Sequence, residues 1–204
     1  MMDILTDKFP TAIKINNAIY KVNADFRNCL PIIKAFEDPE LTMPERCEIL
    51  LQRLFIDPPP ATMEAIEQGI KFLDCGRTRG EPKEVRRVFS FIKDSAYIFS
   101  GMKQTHGIDL EEVGFLHWWK FLALFYNLPS GNLFTDYYKH YRAIDTSKMP
   151  TDNKEQRAEK ARVESIKKSV QIRKGGEKKV YVPAWVRKAR EVNEERARKD
   201  GRRI

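Results

Sequence analysis

Three histidines, His106, His117 and His140, stand 11 and 23 residues apart. That is too far for the short spacings that place several ligands of one metal on a single turn or helix face. The three cysteines, Cys29, Cys47 and Cys75, form no Cys-x-x-Cys motif and are odd in number. They read as reduced core thiols of a cytoplasmic protein. There is no glycine-rich phosphate loop and no nucleophile elbow. Most carboxylates sit where helices are expected to begin, as in Thr42-Met43-Pro44-Glu45 and Asp109-Leu110-Glu111-Glu112, and there the helix dipole favours them. His117 reads as a hydrogen-bonded histidine at a helix surface, and Cys75 as a helix-end packing residue. These residues give no catalytic, metal-binding or cofactor-binding set. A non-enzymatic role is therefore expected, unless groups distant in sequence converge.

Two features stand above this background. The first is Leu116-His117-Trp118-Trp119-Lys120-Phe121. Adjacent helical residues diverge by ~100°, so Trp118 and Trp119 point in different directions. One ring is expected to anchor the fold while the other packs on a neighbouring helix or a partner. Burial of both inside a small helical domain is the alternative. With Tyr126, Tyr138 and Trp185, the two tryptophans make the candidate partner-binding set. The second feature is basic. Residues 148–204 hold 19 of the 37 Lys and Arg but only 9 of the 29 Asp and Glu. Lys167, Lys168, Arg173, Lys174, Lys178, Lys179, Arg187, Lys188 and Arg190 carry much of that excess. Such a stretch attracts acidic protein surfaces or nucleic acid. With only two aromatics, Tyr181 and Trp185, and nine interspersed acids, it offers little for base stacking.

The elements that must position these residues follow from periodicity. Residues 13–15 and 19–22 alternate apolar and polar about Asn16-Asn17-Ala18, which predicts a hairpin. Two strands alone are marginal in water, so the hairpin must lie on helices. Asp25 is a fitting N-cap for a helix with Phe26, Leu30, Ile33 and Phe36 inward, and Pro31 predicts a late start or a kink. Thr42, Pro44 and Glu45 open a second helix with Cys47, Leu50, Leu51 and Leu54 inward, stopped by Asp57-Pro58-Pro59-Pro60. A third spans about 61–73 with Ile66, Ile70 and Leu73 inward, ending at Gly76. Residues 76–87 bury almost nothing and read as a flexible linker or an exposed loop. Asp94 is expected to cap a helix to His106, with Tyr97, Ile98 and Met102 on one side. Asp109 to Glu112 then launches the apolar segment 115–126, broken by Leu128-Pro129-Ser130-Gly131. Helices follow at about 133–143, 152–170 and 184–198, the last basic.

A chain of 204 residues with 42% hydrophobic and 32% charged residues suits one domain with an extension. The expected fold is mainly α, α+β by a small margin. A hairpin packs on a helical domain over 1–147, and a basic extension, helical or partly disordered, spans 148–204. No stretch has the ~20 apolar residues of a membrane helix, and Met1 to Lys8 lacks the pattern of a signal peptide. No membrane role is expected.

The sequence resembles the bacteriophage gene-product-fifteen family. The resemblance rests on Leu5-Thr6-Asp7-Lys8-Phe9-Pro10, Asp25-Phe26-Arg27, Gly107-Ile108-Asp109-Leu110 and the His117-Trp118-Trp119-Lys120 run with Leu128-Pro129. Tyr141-Arg142, Asp145, Ser147-Lys148 and Lys154-Glu155-Gln156-Arg157 continue it to about residue 170. Pro31 and the long end after Lys174 depart from the pattern. The resemblance implies a tail assembly chaperone acting in the host cytoplasm, without cofactor or metal. Its implied partners are the tape-measure protein, then the major tail protein, with homo-oligomers as a further expectation. A nucleic-acid-binding accessory protein acting through the basic tail, or a structural component of the virion tail, is the alternative.

Overall fold

In the computed structural model, which describes residues 6–76 and 88–172, the chain opens with the hairpin β1 (Ala12–Ile15) and β2 (Ala18–Lys21). The strands pair antiparallel with Ile15 opposite Ala18 and Ile13 opposite Tyr20. Asn16 and Asn17 both take positive φ, 45° and 66°. A two-residue turn needs that backbone to match the strand twist, and asparagine tolerates it. Ile13 and Ile15 face the core. The Glu64 carboxylate accepts from Asn16 N at 3.1 Å and fastens the turn to a helix. Beyond β2, Val22 bridges to Phe55, and Ile56 N donates to Lys21 O at 3.1 Å.

Three helices complete this first unit. Helix α1 (Phe26–Glu37) starts at its expected cap, Asp25, whose side chain accepts from Arg27 N. Pro31 lies inside it and delays nothing: the helix begins five residues earlier. The buried stripe is Phe26, Cys29, Ile32 and Ala35, while the expected Leu30, Ile33 and Phe36 are half-buried beside it. Helix α1 packs against the helix that follows it. Helix α2 (Met43–Leu54) carries its capping box, with Glu45 accepting from Thr42 N and from the Thr42 hydroxyl. These bonds hold the Glu45 carboxyl below its usual range. Helix α3 (Met63–Leu73) is capped by Thr62 and ends through Cys75 and Gly76, both at positive φ. Ile70 is only half-buried, and Gly69 takes the inward place instead. A methyl at Gly69 would meet Leu50 Cδ2 at 2.6 Å, so the absent side chain lets α3 lie against α2.

The second unit comprises α4 (Ser95–His106), α5 (Trp118–Tyr126), a π-helical stretch (Phe134–Lys139) running into α6 (His140–Ala143), and α7 (Lys154–Val170). Gly107 ends α4 in the left-handed conformation, φ 65°. The expected start at Asp109 is a turn only: Asp109 accepts from Glu111 N, and α5 begins nine residues later. Its cap is His117, whose Nδ1 accepts from Trp119 N at 3.1 Å. Helix α7 is capped reciprocally by Asn153 and Gln156.

The described residues fall into two compact units, 6–76 and 88–172. Helix α7 belongs to the second unit, because Val163 and Val170 are buried and Val170 O accepts from Arg142. Most of the expected linker, 77–87, and the expected helix 184–198 lie outside the described residues.

Candidate partner-binding surface

The second unit is built around a layer of aromatic rings. Phe91, Trp118, Phe121 and Phe125 meet one another at centroid distances of 5.0 to 6.5 Å. Phe134 joins from the π-helical stretch at 5.7 Å from Phe125, and Phe89 closes the edge at 4.9 Å. Such pairs gain about 0.5–1.5 kcal/mol each beyond burial. The layer is therefore a rigid platform.

Trp118 and Trp119 both belong to this interior, at 1% and 8% exposure. Neither ring is presented to solvent. Their directions do diverge. At the start of α5, however, the Phe91 segment covers Trp118, while the His117 ring stands edge-on to Trp119 at 6.2 Å. The burial of both is the alternative reading of the sequence.

The surface residues lie at the ends of the same segment. Phe115, just before the cap, is 61% exposed, and Tyr126, the last residue of α5, is 52% exposed. Phe115 packs edge-on to His117 at 6.4 Å. Tyr126 stands 5.4 Å from Phe125 and 6.2 Å from Phe89. Each is a largely apolar side chain presented to solvent beside buried rings, the kind of surface that a partner can cover. Leu133 and Ile92 are exposed elsewhere on the unit. On the first unit Ile19 and Ile56 are exposed. Ile19 pairs with Lys14, so it occupies the hairpin face opposite the buried Ile13 and Ile15.

Tyr138, another expected contact residue, is half-buried. Its ring stacks on Tyr97 at 4.2 Å, and its hydroxyl donates to the Tyr97 hydroxyl at 2.6 Å. Donating that proton, together with burial, pushes its pKa up to about 12. Tyr138 thus joins α4 to the π-helical stretch. Of the basic residues, Lys167 donates to Ile144 O and Lys168 is exposed. Arg173, Lys174, Lys178, Lys179, Trp185, Arg187, Lys188 and Arg190 lie outside the described residues.

Beside the layer sits a buried ion pair that sequence reasoning missed. Arg142 grips Asp94 with both arms of its fork, at 2.6 and 3.0 Å. It also donates to Val170 O and Val88 O. Asp94 was expected to cap α4. It stands at that position, but its carboxylate instead accepts from Arg142 and from Ser90 N at 2.8 Å. With four acceptor contacts filled, Arg142 is structural.

Among the described residues no three or more His, Cys, Asp or Glu side chains gather to hold a metal. His106 Nε2 lies 3.1 Å from Leu124 O and so carries the proton there. All three cysteines are free thiols, and burial pushes the pKa values of Cys29 and Cys47 up.

Comparison with curated proteins and with solved structures finds no match. The family model described as Bacteriophage Gp15 protein matches residues 5–171, which takes in nearly every described residue of both units, from the hairpin to the end of α7. The chain therefore belongs to the bacteriophage Gp15 protein family.

Proposed function

We propose that this phage protein is a non-enzymatic tail assembly chaperone. It covers apolar surface of the tape-measure protein in the host cytoplasm until major tail subunits arrive. The observation carrying this reading is the pair Phe115 and Tyr126, more than half exposed at the two ends of a segment whose remaining rings are locked inside. A chaperone of this type needs apolar anchors on a rigid base within an otherwise charged exterior, so that contacts are firm yet reversible. The helix-in-groove mode suits a long helical client.

Co-expression with the tape-measure protein of the same genome tests it. The chaperone should keep that protein soluble and co-purify with it. The double variant Phe115→Asp, Tyr126→Asp should lose at least tenfold in recovered complex, a difference of about 1.4 kcal/mol or more, while its circular dichroism stays unchanged. Absence of any complex with the unmodified chain counts against the reading. Mass spectrometry of purified particles separates it from a structural tail component, which would persist in many copies. DNA affinity that collapses with salt would favour the nucleic-acid alternative instead.

A further inference from the structure

A cleft of about 320 Å³ opens in the first unit between the first turns of α2 and the loop that follows that helix. Its walls include Pro44, Cys47, Leu51, Pro58 and Pro59, and Glu48 stands among the lining residues. Proline rings are flat, stiff and without an N–H donor. They suit the face of an aromatic ring better than a hydrogen-bonding ligand. Glu48 is the one charged residue among the described residues lining the cleft. Glu48 is exposed, and so is Asp57, which directly precedes Pro58. Residues 6–76 hold 11 Asp and Glu against 8 Lys and Arg. An occupant that fits carries aromatic and aliphatic side chains over a short stretch, with cations at both ends.

One stretch of this chain has that composition. Lys178-Lys179-Val180-Tyr181-Val182-Pro183-Ala184-Trp185-Val186-Arg187-Lys188 brackets seven uncharged residues between two basic pairs. It also contains both aromatics found beyond residue 147. Pro183 biases the residue before it toward an extended backbone, the form in which a short segment lays alternate side chains into a groove. The rest of the basic region offers charge without rings, so only this stretch matches the cleft in both respects.

We propose that residues 178–188 dock in the cleft of their own chain, with the Trp185 ring on the prolines and the basic pairs beside Glu48 and Asp57. The proposal stands independently of the chaperone reading. It gives the cleft an internal occupant that a better-fitting external segment would have to displace.

Cys47 supplies a native probe inside the cleft. In the full chain carrying Ala184→Cys, mild oxidation followed by peptide mass mapping reports which thiol the introduced one reaches. A link to Cys47 within one chain should exceed the link to Cys75 several-fold, and adding Glu48→Lys should reduce it several-fold. Equal linking to Cys47 and Cys75, no link to Cys47, or links between copies would overturn the proposal. Fluorescence gives a second readout without cysteine chemistry. The contribution of Trp185, taken as the difference between the full chain and Trp185→Phe, should resist acrylamide several-fold better than a free tryptophan peptide. Full accessibility of that ring would also overturn the proposal.

Discussion

Arg142 and Asp94 are both buried, at 7% and 2% side-chain exposure, so each neutralises a charge that water does not reach. Removing one partner strands the other. Asp94→Ala or Arg142→Ala should cost about 3–5 kcal/mol in urea unfolding. The double variant Asp94→Leu, Arg142→Met should cost clearly less than the two single losses together, because no charge is left alone. Lys103 and Asp109 behave differently, since they meet at 2.6 Å with the lysine well exposed. The hydrogen bond from Lys103, with those from the backbone, holds the Asp109 carboxyl below its ordinary 3.8. The same contact raises Lys103 above 10.5. Stabilisation from Asp109 is thus present above its ordinary value and lost as pH falls through the lowered one. That from Lys103 is full below its ordinary value and lost as pH rises through the raised one. A carboxyl NMR titration should find Asp109 titrating low, and Lys103→Met should move its midpoint back up.

At the scale of elements, the local signals in the sequence correspond closely to what forms. The Asn16-Asn17 turn, the Thr42 and Glu45 box and the Gly107 stop each act within four residues, so their chemistry is visible in a short window. What depends on a second element is not visible. Asp94 and Arg142 are 48 positions apart, and nothing local to Asp94 distinguishes a helix cap from half of an ion pair. The α1 stripe was misplaced by one residue row for the same reason. A face about 100° wide includes both rows, and packing against other elements decides between them. The two tryptophans were read as diverging, which they do, but what covers each one comes from elsewhere in the chain. Ile19 was legible in principle, since Ile13 and Ile15 fix the inward face and period two sends Ile19 outward. Gly69 shows contact between elements at its closest. Leu50, which an added methyl would strike, is itself fully buried, so its side chain would have to shift within the core. Gly69→Ala should therefore destabilise the first unit by about 1–3 kcal/mol despite its better helix propensity, measurable as a lower urea midpoint.

For the molecule as a whole, the basic composition of residues 148–204 suggests an appendage, yet the part of it up to residue 172 is integral. Helix α7 has only two fully buried side chains, Val163 and Val170, so its sequence looks like a solvated charged helix. Its attachment runs through those two valines and through backbone and lysine contacts, Val170 O to Arg142 and Lys167 to Ile144 O. Ending the chain after Ser147 should cost roughly 3 kcal/mol from the valines alone and leave Arg142 without one acceptor. The second unit of the shortened chain should unfold at distinctly lower urea than in the full chain.

The π-helical stretch has a consequence for insertions and deletions. His140 N donates back five residues to Thr135 O, so the loop closed by that bond encloses one residue more than in an α-helix. That surplus rotates everything downstream by about 100° relative to an unbroken α-helix. The direction of Arg142 toward Asp94 is thus set by how many residues precede it as much as by which ones. A single-residue deletion among Thr135–Lys139 that turns the stretch into plain α-helix should therefore keep the guanidinium aimed at its partner, whereas a single-residue insertion there would swing it away with every atom of the ion pair still in the chain.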